Sequence, residues 1–138
     1  MAYGTANVDV IQSSTANTPV QFNDGNGTQV GTLCRAWVEF NGVTTATIRA
    51  SFNVSSVTRN GTGYYTVNFT TAMADANYAV SGSASPPYGV RYSGGITVFS
   101  GTSAVNEVAP TTSAFNVITA DAGGNIFDSK YVSVAVFR

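Results

Sequence analysis

An all-β domain is the fold class this sequence predicts: an antiparallel β-sandwich of jelly-roll-like type, or a small barrel, with an extended N-terminal arm. Three observations lead there. Charged residues make up only 9% of the chain, so its polarity comes from Thr, Ser, Asn and Gly, which populate turns and exposed strand faces. From Leu33 onward, apolar and polar residues alternate with the period of two that a half-buried strand requires. Asn-Gly and Gly-Gly signals punctuate these runs at roughly even spacing, while good helix formers and i,i+4 charge pairs are scarce.

The first strand is LCRAWVEF, with Cys34, Ala36, Val38 and Phe40 on one face and Arg35, Trp37 and Glu39 on the other. Asn41-Gly42 turns the chain. TTATIRASF then sets Ala46, Ile48, Ala50 and Phe52 opposite Thr45, Thr47, Arg49 and Ser51. NVSSVTR is a short polar strand ending at Asn60-Gly61, the strongest hairpin signal in the chain. YYTVNFT follows with Tyr65, Val67 and Phe69 inward. TTAMADAN, at 70–77, is the one helix-like run and is too short to form a stable helix. NYAVSGSA leads to Pro86-Pro87, which belongs in a loop or at a sheet edge. VRYSGGITVFS carries Gly94-Gly95 as a tight turn or bulge. TSAFNVITA and KYVSVAVF complete the pattern on either side of the loop DAGGNIFD, with Val132, Val134 and Val136 inward. About eight strands with turns between them describe a sandwich or a small barrel over residues 33–138.

Residues 1–32 read differently. Val8, Val10, Ile11 and Phe22 are anchoring hydrophobes in an otherwise polar stretch, and DGNG at 24–27 signals a turn or loop. Such a segment cannot bury a core alone. It is expected to lie as an extended arm, adding a strand to a sheet edge of its own domain, a sister copy or another protein. Val8, Val10, Ile11 and Phe22 are therefore the candidate partner-binding residues.

Composition narrows the function classes. The 138 residues carry a net charge of -1 and a pI near 5.0. The six basic residues form no run, which argues against nucleic acid as a partner and against polybasic attachment to a membrane. No apolar run approaches the roughly 20 residues of a membrane helix, and no signal peptide is visible, so synthesis in a reducing cytoplasm is expected. The lone Cys34 fits that compartment and allows no intrachain disulfide. Histidine is absent, which removes the usual general base and most zinc sites. The acidic residues (Asp9, Asp24, Glu39, Asp75, Glu107, Asp121 and Asp128) sit in turns or on exposed strand faces, where a catalytic carboxylate pair lacks the contrasting environments it needs. DAGGNIFD lacks the pattern and closing Glu of a calcium loop and reads as a turn closed by Asp and Asn. Sequons at Asn26, Asn53, Asn60 and Asn68 are expected by chance in so Asn- and Thr-rich a chain. No catalytic residue, metal ligand or cofactor site is predicted.

The aromatics are the remaining candidates. Tyr64, Tyr88 and Tyr92 lie near turn or loop signals, where a ring can stack on a sugar or a partner surface. Core and rim packing is the competing reading for each. Trp37 falls on the face opposite Ala36 and Val38, as a second buried face or an intersubunit contact.

The stretch CRAWVEFNGVTTATIRASFNVSSVTRNGTGYYTVNFTTAMADANYAV, from Cys34 to Val80, resembles a module of phage tail-fibre and related virion proteins, particularly of phages infecting cyanobacteria and marine bacteria. GTANVDVIQSSTANTP resembles the segment that precedes it. Arg59 and Ala74 depart from the pattern, both at positions expected in turns. The resemblance implies a virion structural protein, often a homotrimer, and no catalytic residue. The expected function is a capsid decoration or cement protein bridging subunits of the phage major capsid protein; the alternative is a tail-fibre tip that contacts the host surface.

Overall fold

The computed structural model describes residues 10–11, 20–23, 26–27, 29–86, 95–98, 108–121 and 123–138. Strands dominate it, and no helix occurs among the described residues. The chain divides into two compact units, Met1–Leu33 and Cys34–Arg138. In the first, β1 (Gln21–Asn23) and β2 (Gln29–Thr32) pair as an antiparallel hairpin. Gly27, at φ 82°, takes the left-handed conformation that glycine adopts without steric cost. β1 and β2 thus run antiparallel to one another on either side of the DGNG signal.

The second unit holds eight strands in two antiparallel sheets. They are β3 (Cys34–Asn41), β4 (Thr47–Phe52), β5 (Val54–Gly61), β6 (Tyr64–Phe69), β7 (Ala79–Ala84), β8 (Gly95–Val98), β9 (Ala114–Ala120) and β10 (Val132–Phe137). Sheet I has the order β4-β3-β10-β7 and sheet II the order β5-β6-β9-β8. Neither sheet closes on itself or on the other, so the barrel alternative fails. The jelly-roll order is not followed either. The pairs β3–β4 and β5–β6 are hairpins inside one sheet, because short turns such as that at Thr62-Gly63 return the chain beside the strand it has just left; β8 and β9 pair antiparallel across a longer connection.

Both sheets contribute to a single buried cluster. Ala36, Val38 and Phe40 from β3 and Val132, Val134 and Val136 from β10 join Tyr65, Val67 and Phe69 from β6 and Phe115 and Val117 from β9. Those of β3, β6 and β10 are inward by strict alternation, as the pattern predicts. Phe40 of sheet I meets Tyr65 of sheet II edge-on, with ring centroids 5.1 Å apart. Each large side chain fully removed from water contributes about 2 kcal/mol.

The alternation is broken in β5, where Val54 and Val57 are both buried, in β9, where Val117, Ile118 and Thr119 are buried in succession, and in β4. Ile48 packs against the core, but Ala50 and Phe52 are exposed, Phe52 at 54%. The register between β3 and β4 slips between Glu39 and Phe40, so Phe40 pairs with Ile48 while Glu39 pairs with Ala50. Arg49 is the extra residue of a β-bulge, and a one-residue insertion moves every later side chain to the other face. Phe52 consequently stands outside, opposite Trp37. Arg59, expected in a turn, lies within β5.

Asn53 makes the corner between the sheets. At φ 53° it adopts the left-handed region that Asn tolerates better than most residues. Its side-chain amide donates to the carbonyls of Arg35 (3.2 Å) and Thr71 (3.1 Å), and its Oδ1 accepts from the Thr71 amide at 2.7 Å.

Candidate functional site

Polar side chains gather in two places, with opposite consequences. The first is one end of the second unit, where the β5–β6 turn meets the segment before β10. The Asp128 carboxylate accepts from Arg59 Nε (3.0 Å) and Nη2 (2.8 Å), from the Gly63 amide (2.8 Å), and lies 2.9 Å from the Tyr65 hydroxyl. Burial pushes the Asp128 carboxyl up, but the hydrogen bonds from Arg59, Gly63 and Tyr65 outweigh it and hold it below the ordinary value. Burial, then the Asp128 contact, pushes the Tyr65 phenol well above its usual range. Gly42 and Gly63 line this network with no room for a side chain. A Cβ on Gly42 would lie 2.6 Å from Tyr65 Cζ, and one on Gly63 2.8 Å from the Phe127 carbonyl oxygen.

The neighbouring DAGGNIFD loop is closed in the same way. Asp121 Oδ1 accepts from the amides of Gly123 and Asn125, both at 2.9 Å, and Oδ2 from the Asn125 side chain at 2.9 Å. The Asn125 side chain first, then these amides, holds the carboxyl below its ordinary value. Asp75 is engaged by Arg138 and by the Asn77 amide, which lower its pKa in that order. Each of these carboxylates serves a turn or an ion pair. The sequon asparagines Asn53, Asn60 and Asn68 likewise spend their amide nitrogens on hydrogen bonds within the fold.

The second place is the outer face of sheet I. Register aligns Phe52, Trp37, Ala135 and Ser81 in one row across β4, β3, β10 and β7, and Ala50, Glu39, Ser133 and Ser83 in the next. Trp37 is 40% exposed. Short side chains on β10 and β7 lie lower than the Trp37 ring, leaving an open groove of about 460 Å³. Gly82 lies between the two β7 serines, and Glu39 lines the groove from β3. The Glu39 carboxylate is 3.6 Å from Arg49, whose guanidinium stacks 4.2 Å above the exposed Tyr131 ring.

The residues named from the sequence divide accordingly. Val10, Ile11 and Phe22 are exposed, Val10 at 76% and Ile11 at 64%. Val8, Tyr88 and Tyr92 lie outside the described residues, as do Asp9, Asp24 and Glu107. Tyr64 is half-buried in β6. Trp37 is on the outer face, where alternation places it. Sequence reading missed Phe52, because the bulge reverses its face, and it missed Ser81, Ser83 and Ser133, whose alternation in AVSGSA and VSVAVF marks them as outward but not as neighbours. No family model matches the chain, and comparison with curated proteins and with solved structures likewise gives no match.

Proposed function

We propose that this chain is a non-enzymatic structural protein of a tailed-phage virion: a decoration protein that bridges capsid subunits through its N-terminal segment. In this proposal the two sheets and their shared core form a β-sandwich, and the N-terminal segment supplies the contact with a partner. The carrying observation is the exposure of Val10 and Ile11. Two adjacent large aliphatic chains left in water cost free energy that a partner's apolar pocket recovers. The low charge suits close packing of like copies, and homotrimers and the major capsid protein are the partners the resemblance suggests. Support for a non-catalytic role comes from Asp75, Asp121 and Asp128, each committed to a structural contact, and from the absence of histidine.

The test is co-sedimentation with empty capsids, comparing the natural chain with a Val10→Asp, Ile11→Asp double variant. Two charges placed in an apolar interface should weaken capsid binding by at least roughly 100-fold while leaving the unfolding midpoint of the domain unchanged. Equal binding by both proteins removes the bridging role. A fibre-tip role is the second reading, favoured by the aromatic residues Trp37 and Phe52 on the outer face of sheet I. Quantitative mass spectrometry of particles separates the two: on the order of hundreds of copies indicates decoration, far fewer a fibre.

A further inference from the structure

We infer that the groove on the outer face of sheet I binds a neutral oligosaccharide. Its hydroxyl groups are the first reason. Ser51, Ser55, Ser56, Ser85, Ser113 and Ser129 each commit their hydroxyl to a hydrogen bond within the protein. Among the described residues the remaining serines are Ser81, Ser83 and Ser133; none makes such a bond, and all three line this groove. The described residues thus tie up their other serine hydroxyls and present three free ones on a single surface.

The second reason is the arrangement of apolar against polar surface. Trp37 gives an exposed ring at one side, and Phe52, in register with it on β4, is exposed beyond it. Two strands away, Ser81 and Ser83 form a hydroxyl edge, with Ser133 on the strand between. Strand spacing puts the ring and the edge about 10 Å apart, and the two rows about 7 Å apart along the strands. That footprint matches a mono- to disaccharide. A pyranose has an apolar face of C–H groups and a rim of hydroxyls. It stacks on an indole by one and exchanges hydrogen bonds by the other.

Charge decides the sugar class. Glu39 is the ionised group lining the groove, and Arg49 sits 3.6 Å from it, itself held over Tyr131. No cation is among the residues that line the groove, so an acidic sugar finds no counter-charge within it. Glu39 retains acceptor capacity for a sugar hydroxyl. A second protein surface is a poorer occupant, since it would bury three serine hydroxyls that each need a partner. The site stands independently of any capsid or fibre location.

Trp37 is the single tryptophan, so its fluorescence reports on the groove directly. Full-length protein is titrated with cellotetraose and with maltotetraose to about 10 mM, a range set by one stacking ring and a few solvent-exposed hydrogen bonds. The expected result is a saturable change in Trp37 emission with at least one sugar, half-complete on the order of 1 mM. Ser133→Val and Ser83→Val each keep the reporter and suit a strand. Both should fold with an unchanged urea midpoint and bind at least roughly tenfold more weakly. Thr58→Val, on the exposed part of β5, should bind as the natural chain does. No saturable change with either sugar overturns the inference, as does unaltered affinity in both serine variants. So does Trp37 emission that shifts on dilution without sugar while light scattering shows mass above one chain, since the groove is then covered by a second copy.

Discussion

The Asp128 end and the outer face of sheet I are built from the same kinds of residue, yet they use them in opposite ways. Around Asp128, every buried side-chain polar atom among the described residues has a partner, and glycines admit backbone where a Cβ would collide. On the sheet face, serine hydroxyls point outward with no protein partner, and aromatic rings stay in water. The first arrangement fixes two loops to the core. The second adds nothing to the fold and leaves capacity for binding. Polar chemistry in a protein of this composition is thus informative only once its partners are known.

Four measurements test this contrast, beginning with the largest effect. Val134 lies beneath the groove on the inner side of β10, 3% exposed between outward Ser133 and Ala135. Val134→Asp should cost on the order of 5 kcal/mol, most of the stability of a domain this size, and eliminate soluble expression. A folded variant would reverse the assignment of inner and outer faces. Gly63→Ala comes next. Its φ of 70° and the two carbonyl oxygens within 3 Å of a Cβ should together cost about 3 kcal/mol in urea unfolding. Gly124→Ala, at φ 81° with open space around it, should cost only about 1 kcal/mol, isolating strain from crowding.

The third measurement concerns pH. Asp128 has a depressed pKa in the folded state, so its contribution is fully present above the unfolded carboxylate value near 4. It is lost as the pH falls from there through the lower folded value. The urea midpoint should therefore fall between pH 5 and pH 2, by less in Asp128→Asn than in the natural chain. At neutral pH, Asp128→Ala should cost about 2 kcal/mol, because the Tyr65 hydroxyl and the Gly63 amide each lose an acceptor. Equal acid slopes in Asp128→Asn and the natural chain would assign the pH dependence to Asp75 and Asp121. The smallest effect belongs to the open face. Ser83→Val should change the unfolding free energy by no more than about 0.5 kcal/mol, and a loss above about 2 kcal/mol would make that face part of the fold's support.

Periodicity alone found most of the core: Ala36, Val38, Phe40, Tyr65, Val67, Phe69, Val132, Val134 and Val136 are all inward. It succeeds there because the period of two is a property of the chain itself. It failed at Ala50 and Phe52, where a bulge at Arg49 depends on how β3 and β4 pair across space. The Asp121 turn was legible from local Asp and Asn chemistry. The Asp128–Arg59 clamp was not, since its members come from segments far apart in sequence. The groove was half legible: alternation places Trp37 outside, but only the order β3-β10-β7 brings the serines beside it.

That strand order also governs how the protein is made. β3 leaves the ribosome early, yet its central partner in sheet I is β10, with Ala36 beside Val136. The hairpins β3–β4 and β5–β6 can close by themselves, but sheet I stays split, β7 separated from β3, until the final described strand inserts between them. Completion of this half therefore waits for β10 and is slow, dominated by long-range pairing. Nascent chains carry both edges of that gap unpaired, a template for wrong strands from neighbouring copies. Crowded synthesis at high temperature should yield aggregates for this reason, whereas slow, cool expression gives the last strand time to arrive.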